Sequence, residues 1–594
     1  MRTSRIAVGL AAVVALAFGI TPNASAHQTP PTRTTHLTLL ATTDVHGNIN
    51  NWDYFRNAPY TERTGDTKGL ASVASIVKSV RAEKGARNVV VVDNGDFLQG
   101  TPLDYYFAVQ EPVTQTRRDH PMAVAYNTIG YDAQVVGNHE FNYGLPLLNA
   151  YTKDADFPVL GANAINVKTG RPYLKPFTMI TRAVPGGPSI KIGVIGLTNP
   201  GSAIWDKANV EGKVRFDDMV TTAAKWVPVV RHLGADIVVV LAHGGVGGGS
   251  SYGTDLPAEN PDDVIAAKVP GIDVVVVGHT HLDVPETWVT NEATGKQVLL
   301  TQPKNWGQTV SEVDFTLSAK GHGDWTVDSM VTTSLRSKNY TEDAKFTRAL
   351  KYYNDKTLAY VSQVVAQSTQ ELPATESRYK DTAIIDFIQN VQTETVKSAM
   401  AGTSYASTPV LSIAAPFSRT AVFPQGDVTI RDIAGLYIYD NTLQARLMTG
   451  QQVKDYLEYS AKYFAQVPAG GTFDPATMTN APGGATPDYN YDIISGINYD
   501  IDLSQPQGSR IVNMTMSDGT PVAMSDQFVV AVNNYRASGG GNFPHIASAP
   551  VVYNDLKEIR QLLIDWSLAK GTIDPADFYV PSWRLTINGV VAVP

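Results

Sequence analysis

The stretch VVVVGHTH, residues 274–281, ends a run of four valines at a glycine and then places two histidines one residue apart. Consecutive β-branched side chains favour a strand that is buried on both faces. His279 and His281 follow the end of that strand, which is where ligands and catalytic groups collect in an open α/β sheet. Taken alone, such a pair is more often two ordinary surface histidines, so the ends of the other strands decide the interpretation.

Four further apolar runs in the first half of the chain end in residue types that bind metals. LTLLATT precedes Asp44 and His46, NVVVVDNG precedes Asp96, AQVVG precedes Asn138 and His139, and DIVVVLA precedes His243. Five of the 11 histidines of the chain lie at these strand ends. Each fragment is a weak signal by itself. Together they predict a cluster of metal ligands at one edge of a sheet.

The residue types in this cluster indicate a particular chemistry. A carboxylate can bridge two divalent cations, and imidazoles with a neutral amide oxygen complete the coordination without accumulating negative charge. Asp96 is the expected bridge. Two metals about 3.5–4 Å apart can orient a phosphoryl oxygen, generate hydroxide from water and offset charge on the attacking and leaving oxygens. The cluster therefore predicts phosphoester hydrolysis.

Length and composition limit the possible classes of protein. A chain of 594 residues is too long for one hydrophobic core, so at least two domains are expected. Its 43% hydrophobic and 17% charged content is typical of a globular protein. A net charge of -9 argues against a nucleic-acid polymer as partner, because no broad basic surface is available to neutralise phosphates. A small-molecule nucleotide stays possible if a metal supplies positive charge locally.

The first residues have the three parts of a secretory signal. A charged start and an apolar run lead to the small residues Ala24–Ala26, so residues 1–26 are a predicted signal peptide and residues 27–35 a disordered mature N-terminus. No other apolar run has the length of a membrane span. The chain has no cysteine, which excludes disulfides and a lipid-attachable cysteine. We therefore expect a protein that is secreted or periplasmic, without a membrane span, and monomeric.

Patterning along the chain predicts two domains joined by a helix. Strand-like and helix-like runs alternate through residues 36–336, which indicates a β/α domain with helices covering a sheet. Residues 337–369 contain a charged, helix-prone segment without glycine or proline, as expected of a linker helix. Residues 370–594 have their own helices and short strands and form the predicted second domain.

Five short blocks contain the residues at these strand ends: DVHGN, GDFLQG, GNHEF, LAHGG and GHTH. They resemble the five signature blocks of the calcineurin-like metallophosphoesterases, specifically the exported branch that includes nucleotidases. The resemblance implies an α/β fold, α+β overall. Its N-terminal part would be a four-layer metallophosphoesterase β-sandwich flanked by helices. A linker helix would lead to a C-terminal α/β nucleotidase substrate-binding domain.

The same resemblance implies roles for individual residues. One metal would be held by Asp44, His46, Asp96 and His281, and the other by Asp96, Asn138, His243 and His279. Mixed nitrogen and oxygen ligands suit zinc, manganese, iron or cobalt, and the sequence does not select one of these divalent ions. His139 would lie outside the coordination shells of both metals, where it would stabilise the transition state or protonate the leaving oxygen.

Asn142 separates this chain from the 5′-nucleotidase pattern. Those enzymes have an aspartate at this position that orients the histidine, whereas the carboxamide of Asn142 accepts a hydrogen bond without adding charge. The blocks TTDVHGNINNWDYFRN, DNGDFLQGTPLDYY and GNHEFNYGL resemble most the 2′,3′-cyclic-nucleotide 2′-phosphodiesterase/3′-nucleotidases, in which an asparagine also occupies this position. That resemblance extends over essentially the whole mature chain.

The second domain resembles the part of the nucleotidases that binds the nucleoside. Stacking on aromatic rings contributes roughly 1–3 kcal/mol per base and tolerates base identity. By resemblance, Tyr439 with Asn441 in YIYDN and Tyr535 in YRASGG are the expected base contacts. Arg419 in APFSRT is a further candidate for a polar or phosphate contact. Gly541 stands where 5′-nucleotidases have an acidic residue, so ribose contacts are expected to differ.

Three functions are open at this point. The first is an exported phosphohydrolase acting on 2′,3′-cyclic nucleotides and 3′-nucleotides. The second keeps the chemistry and changes the substrate to 5′-nucleotides or nucleotide sugars, which Asn142 disfavours. The third is a secreted binding protein on an inactive scaffold, and the complete set of metal-ligand residue types weighs against it.

Overall fold

The computed structural model describes residues 32–593 apart from 63, 251, 253, 255, 321–322 and 481–485. The predicted signal peptide, residues 1–26, lies outside the described residues. Among the helices described, none combines the length and the apolar character that crossing a membrane requires.

The first part of the chain is built from strands that alternate with helices. Its strands are β1 (Thr32–Thr42), β2 (Val89–Asp93), β3 (Ala133–Val135), β4 (Val159–Leu160), β5 (Ala164–Asn166), β6 (Phe177–Arg182), β7 (Ile190–Leu197), β8 (Val214–Phe216), β9 (Ile237–Ala242), β10 (Val274–Val277), β11 (Val284–Thr290), β12 (Gln297–Gln302), β13 (Thr309–Lys320) and β14 (Thr326–Arg336). Its helices are α1 (Leu70–Lys84), α2 (Pro102–Tyr105), α3 (Pro121–Ile129), α4 (Gly144–Asp154), α5 (Ser202–Trp205), α6 (Lys207–Val210), α7 (Met219–His232) and α8 (Asp262–Lys268).

Two six-stranded sheets face each other in this part. Their strand orders are β14-β13-β1-β2-β3-β4 and β11-β12-β10-β9-β7-β6. Side chains such as Leu39 and Val90 from the first sheet and Val194 and Val239 from the second share one buried apolar cluster between them. The outer faces are covered by α1, α3 and α4 on one side and by α7 and α8 on the other. The predicted four-layer sandwich is therefore confirmed.

The parallel strands bring their carboxyl ends to one edge. β1, β2, β3 and β4 are mutually parallel neighbours in the first sheet, as are β7, β9, β10 and β12 in the second. The four valines of β10 are at most 3% exposed, which confirms the strand predicted from VVVVGHTH. The residues that follow these strands are thus placed to meet at that edge.

The second part of the chain has smaller sheets. Its strands are β15 (Val364–Ser368), β16 (Leu372–Pro373), β17 (Val410–Ala414), β18 (Val422–Phe423), β19 (Gly426–Thr429), β20 (Thr442–Thr449), β21 (Ile493–Ser495), β22 (Ile497–Asp502), β23 (Ile511–Met516), β24 (Gln527–Asn533), β25 (Val551–Glu558), β26 (Thr572–Ile573), β27 (Trp583–Ile587) and β28 (Val590–Val591). Its helices, with the connecting helix first, are α9 (Ala344–Val361), α10 (Ala383–Met400), α11 (Ile430–Leu436), α12 (Gly450–Ser460), α13 (Asn534–Ala537) and α14 (Ile559–Lys570). The largest sheet has the order β21-β17-β24-β20-β25.

Two boundaries differ from the sequence prediction. Residues 32–35, expected to be disordered, begin β1 and pair with Leu317–Lys320 of β13; three of the four are threonines, whose β-branched side chains favour a strand. Residues 364–369 were assigned to the linker, but Val364–Ser368 form β15, which pairs with β19 and β26. The connecting helix α9 ends before that strand, because Ser362 caps it.

Candidate functional site

The predicted ligand residues meet at the carboxyl edge of the two sheets. Asp44 follows β1, Asp96 follows β2, Asn138 and His139 follow β3, His243 follows β9, and His279 and His281 follow β10. Their ligand atoms form three overlapping groups within 4.8 Å: Asp44, His46 and His281; His46, Asp96 and His139; and Asp96, His243 and His279. We call Asp44, His46, Asp96, Asn138, His243, His279 and His281 the histidine–aspartate centre.

The backbone of the centre adopts an unusual conformation. Positive φ angles between 49° and 64° occur at Asp44, His46, Asp96, His279 and His281. Residues other than glycine seldom adopt this left-handed region, and it persists where the surrounding structure imposes it. The chain therefore turns sharply after β1, β2 and β10, and the polar side chains cluster there.

Glycines next to the ligands leave room for this close packing. A Cβ on Gly137 would lie 2.2 Å from Oδ1 of Asp96. A Cβ on Gly95 would lie 2.5 Å from the backbone nitrogen of Gly137. Both distances are too short for real atoms. The first glycine of GDFLQG and the first glycine of GNHEF are therefore required where the ends of β2 and β3 approach each other.

Distances within the centre are short. Nε2 of His243 lies 3.0 Å from Oδ2 of Asp96, and Nε2 of His281 lies 3.3 Å from Oδ1 of Asp44. Nε2 of His46 lies 3.0 Å from Nε2 of His281. It also lies 3.9 Å from a carboxylate oxygen of each aspartate. Asp96 is thus within reach of histidines on both sides, as a bridging ligand must be.

Two histidines are held by backbone carbonyls on the side away from the centre. Nδ1 of His46 donates to the carbonyl of Gln99 at 2.8 Å, and Nδ1 of His243 donates to that of Asn94 at 2.6 Å. These bonds leave Nε2 of each ring to face the carboxylates. Nε2 of His243 is buried and has no well-oriented hydrogen bond, although Asp96 is close. A buried ring nitrogen of this kind fits a metal ligand.

His279 has a polar partner on each ring nitrogen. Nδ1 lies 3.0 Å from Oδ1 of Asn138, and Nε2 lies 2.8 Å from Oε1 of Glu259. Asn138 and His279 therefore face the same point, as the predicted second metal requires. Glu259 was missed by sequence reasoning, because it lies just before α8, between His243 and His279, in a stretch with no pattern that links it to the centre.

Burial and charge act against each other at the carboxylates. Burial raises the pKa of Asp44, but the charges of His243 and His281 outweigh it and lower the pKa to about 2. Burial also raises the pKa of Asp96, but the charges of His243 and His139 outweigh it and hold that pKa well below its usual value. Burial, together with the nearby charge of His281, lowers the pKa of His46 to about 4 against the opposing charge of Asp96. Ionised carboxylates in a buried site attract cations.

Glu140 fixes the loop that carries Asp96. Its buried carboxylate accepts hydrogen bonds from the backbone nitrogens of Asp96, Phe97, Leu98 and Gly137 at 2.5–3.0 Å. Burial, with the nearby charge of Asp96, raises the pKa of Glu140 to about 7. The residue after His139 therefore organises the centre without facing it, a role that its place in GNHEF did not reveal.

His139 lies beside the centre and is half-buried. Its Nε2 is 4.0 Å from Oδ2 of Asp96, and its Nδ1 donates to Oδ1 of Asn142 at 2.6 Å. The pair lies on the short helical turn His139–Phe141 and the residue that ends it. His139 is therefore oriented with Nε2 toward the carboxylates and with Nδ1 occupied by Asn142.

One cavity of about 610 Å³ joins the centre to the second part of the chain. Its wall on one side includes Asp96, Asn138, His139, Asn142, His279 and His281, and on the other Phe417, Tyr439, Asn441, Tyr489, Asn490 and Tyr535. Arg419 is not among the lining residues; it is about half exposed and pairs with Asp488 at 2.5 Å. Another hollow, about 660 Å³ beside α9, contains none of the predicted site residues.

Three tyrosines, which we call the tyrosine wall, face this cavity: Tyr439, Tyr489 and Tyr535. The Tyr439 ring is flanked by Phe417 at 5.4 Å and by Tyr489 at 6.2 Å between centroids. Tyr489 was not predicted, because it follows a glycine-rich loop and only the fold brings it to the other two rings. A Cβ on Gly541 would lie 2.2 Å from Nη1 of Arg536 and 2.7 Å from Oδ1 of Asn490, so any larger residue here would displace one of these side chains.

Asp440 links the two parts of the chain at the cavity. It accepts hydrogen bonds from Gln99 at 2.8 Å and Tyr143 at 2.7 Å, both in the first part. It also pairs with Arg560 of the second part at 2.5 Å. Because Tyr439 and Asn441 flank Asp440, the same contacts fix the tyrosine wall relative to the centre.

Comparison with known families places both parts of the chain. The calcineurin-like phosphoesterase family matches residues 37–283, and the 5′-nucleotidase C-terminal domain matches residues 364–548. The 2′,3′-cyclic-nucleotide 2′-phosphodiesterase/3′-nucleotidase of Salmonella typhimurium is 34% identical over 93% of this chain and 89% of its own length. The corresponding Haemophilus influenzae protein is also 34% identical, over 92% of this chain and 87% of its own.

Longer and more distant proteins share the same organisation. A trifunctional nucleotide phosphoesterase of Bacillus subtilis is 32% identical over 91% of this chain, which spans 38% of that protein's length. The solved 5′-nucleotidase precursor of Thermus thermophilus is 23% identical, with a TM-score of 0.64 over 93% of this chain and 99% of that one. This last likeness concerns the fold.

Proposed function

Because the chain belongs to the calcineurin-like phosphoesterases with a 5′-nucleotidase C-terminal domain, we propose that this phosphoesterase uses a dinuclear metal centre to hydrolyse 2′,3′-cyclic nucleotides and 3′-nucleotides. The observation that carries the proposal is the single cavity whose opposite walls are the histidine–aspartate centre and the tyrosine wall. A phosphoester bound at the centre would have its nucleoside within reach of the rings.

The donor set supports two divalent ions. Asp44, His46, Asp96 and His281 would hold one, and Asp96, Asn138, His243 and His279 the other. When bound, such ions supply a hydroxide nucleophile at neutral pH and stabilise negative charge on the phosphoryl oxygens. Imidazole nitrogens with carboxylate and amide oxygens suit zinc, manganese, iron or cobalt.

His139 would handle the leaving group. Its Nδ1 is occupied by Asn142, so a proton on Nε2 is the one available to the nucleoside oxygen as the phosphorus–oxygen bond breaks. Protonation of that oxygen avoids the release of an alkoxide and typically contributes about 10²–10⁴-fold in rate. The same group can act twice, first on the cyclic diester and then on the 3′-monoester.

The tyrosine wall would bind the nucleoside. Tyr439 and Tyr535 are proposed to stack on the base, with Asn441 contributing a polar contact beside them. Ring stacking tolerates base identity, so 3′-nucleotides with different bases would be able to bind the same wall. Arg419 could contact substrate only by exchanging its ion pair with Asp488 for one with the ligand.

Export is proposed on the basis of residues 1–26. The mature protein, beginning near His27, would be found in the periplasm or the medium as a monomer. Sequencing of the N-terminus of the protein from cell fractions tests this. A cytosolic protein that retains Met1 would contradict export and leave the catalytic proposal intact.

Hydrolysis of three matched substrates tests the proposed activity. The mature protein is given 2′,3′-cyclic AMP, 3′-AMP or 5′-AMP, with Mn²⁺ or Zn²⁺ or with chelator, and products are separated by chromatography. Metal-dependent turnover of the first two with 5′-AMP spared is expected. Preference for 5′-AMP would move the assignment to a 5′-nucleotidase, and no turnover with metals bound would favour a binding protein.

A further inference from the structure

The side chain of Asn142 has a second partner, on the face turned away from His139. Its Nδ2 donates to Oδ1 of Asp206 at 2.7 Å. Asp206 lies between the short helices α5 and α6, more than sixty residues further along the chain, and is 4% exposed. The three side chains therefore form a hydrogen-bonded series from the cavity into the interior: His139, Asn142, Asp206.

We propose that Asp206 is a positioning residue for His139, acting by fixing the orientation of the Asn142 carboxamide. The inference rests on the leaving-group role proposed for His139. It assigns a function to a residue that does not line the cavity and does not touch the reacting atoms.

The Asn142 carboxamide can face His139 with either of its two ends. A carboxamide has an acceptor oxygen and a donor nitrogen of nearly equal shape. If it were flipped, Oδ1 would face the Asp206 carboxylate, placing two acceptors about as far apart as a hydrogen bond, and the NH₂ would face Nδ1 of His139. Asp206 therefore selects the orientation in which Oδ1 accepts from Nδ1, which leaves Nε2 toward the centre.

The surroundings make this selection effective. Nδ2 of Asn209, on α6, donates to the backbone carbonyl of Asn142 at 2.7 Å and to that of Phe141 at 3.0 Å, so the segment carrying Asp206 is anchored to the turn that carries His139. Burial raises the pKa of Asp206 to about 7, while the charge of His139 opposes that rise.

A double-mutant cycle distinguishes this role from simple packing. Asp206→Leu keeps similar volume and removes the acceptor, so kcat for 3′-AMP is expected to fall about 10- to 100-fold, with KM changed less than about twofold. In an Asn142→Asp background both oxygens at position 142 are acceptors and no orientation has to be selected. There, Asp206→Leu is expected to cost less than about twofold in kcat.

Controls keep the outcome readable. Metal content and thermal unfolding are compared across the four proteins, and the cycle is repeated with phenyl phosphate, which has no nucleoside. Turnover of phenyl phosphate by the unmutated protein without turnover of nucleotides would overturn the substrate proposal and leave the cycle interpretable. An equal loss of kcat in both backgrounds, or no loss with Asn142 present, would overturn the role of Asp206.

A second variant covers the case in which leucine prevents folding. Asp206→Asn can accept from Asn142 and is expected to retain more activity than any variant without an acceptor. In the Asn142→Asp background, Asp206→Asn replaces a contact between two carboxylates by one in which the new carboxamide donates to the carboxylate at position 142. The substitution is then expected to raise kcat, and a fall in both backgrounds would contradict the proposal.

Discussion

The two walls of the cavity are constructed differently. Most residues of the histidine–aspartate centre are buried, with Asp44 and His243 at 0% exposure, although His281 is exposed at the cavity. All of them follow strand ends, and five of the seven have left-handed backbone. The tyrosine wall stands on turns and short helices, and Tyr489 is 41% exposed. The position of the histidine–aspartate centre is thus specified by the sheets, whereas the position of the tyrosine wall depends on loops. Changes in the first should affect the rate of chemistry, and changes in the second should affect substrate affinity and preference.

The largest effect is expected at Asp96, which contacts histidines from both sides of the centre. Asp96→Asn should lower kcat/KM for every phosphoester by about 10³-fold or more, because a bridging carboxylate is lost. Metal content measured by mass spectrometry should fall in parallel. Asp518→Asn, at an exposed turn, is the matched control and should retain both. Full activity of the Asp96 variant would contradict the proposal that the histidine–aspartate centre carries out the chemistry.

His139→Gln should have the next largest effect. Loss of the proton donor should lower kcat for 3′-AMP about 10²–10⁴-fold, with bound metal retained. The loss should shrink for p-nitrophenyl phosphate, whose leaving group needs no proton. Steady-state kinetics on the two substrates measures the difference. Equal losses on both would place His139 among the groups that stabilise the phosphoryl transition state rather than the leaving oxygen.

Substitutions in the tyrosine wall should separate binding from chemistry. Tyr439→Ala or Tyr535→Ala should raise KM for 3′-AMP roughly 5- to 150-fold, the equivalent of about 1–3 kcal/mol of lost stacking. Kinetics on p-nitrophenyl phosphate should be nearly unchanged. Tyr405→Ala removes a partly buried ring that does not line the cavity and serves as control. A change in kcat alone, with KM unaffected, would count against stacking.

Tyr489→Ala sharpens the comparison within the wall. Because this ring is more exposed than Tyr439 and meets it edge to face, its loss should raise KM for 3′-AMP less than loss of Tyr439 does, by about 10-fold or less. Kinetics with purine and pyrimidine 3′-nucleotides would measure its part in base preference. A larger effect than that of Tyr439→Ala would make Tyr489 a principal stacking ring.

The smallest effect is expected at Arg419. Its side chain is about half exposed and paired with Asp488, and surface pairs contribute about 0–1 kcal/mol. Because the Arg419 side chain is only about half exposed and already paired, Arg419→Ala should change KM for 3′-AMP less than about threefold, as measured under the same conditions. An increase in KM above tenfold would show that Arg419 leaves Asp488 to contact the substrate.

The sequence predicted the histidine–aspartate centre better than the tyrosine wall. Strand ends after valine-rich runs identified Asp44, Asp96, His243 and His279, because parallel strands must bring such residues to one edge. Glu259 and Asp206 were missed, since each reaches the site from a loop or a helix junction with no periodic signal. The rings of the second part were found only by resemblance, and Tyr489 not at all, because ring positions on turns depend on tertiary packing.

The most direct test of the account is anomalous diffraction from crystals soaked with Mn²⁺ and adenosine 3′-phosphate at a pH that suppresses turnover. Two peaks are expected, one beside Asp44 and His281 and one beside Asn138 and His279, with Asp96 between them. The adenine should lie against Tyr439 and Tyr535. A single peak, no peak, or a nucleotide bound outside the cavity would contradict the claim that the two walls act on one substrate.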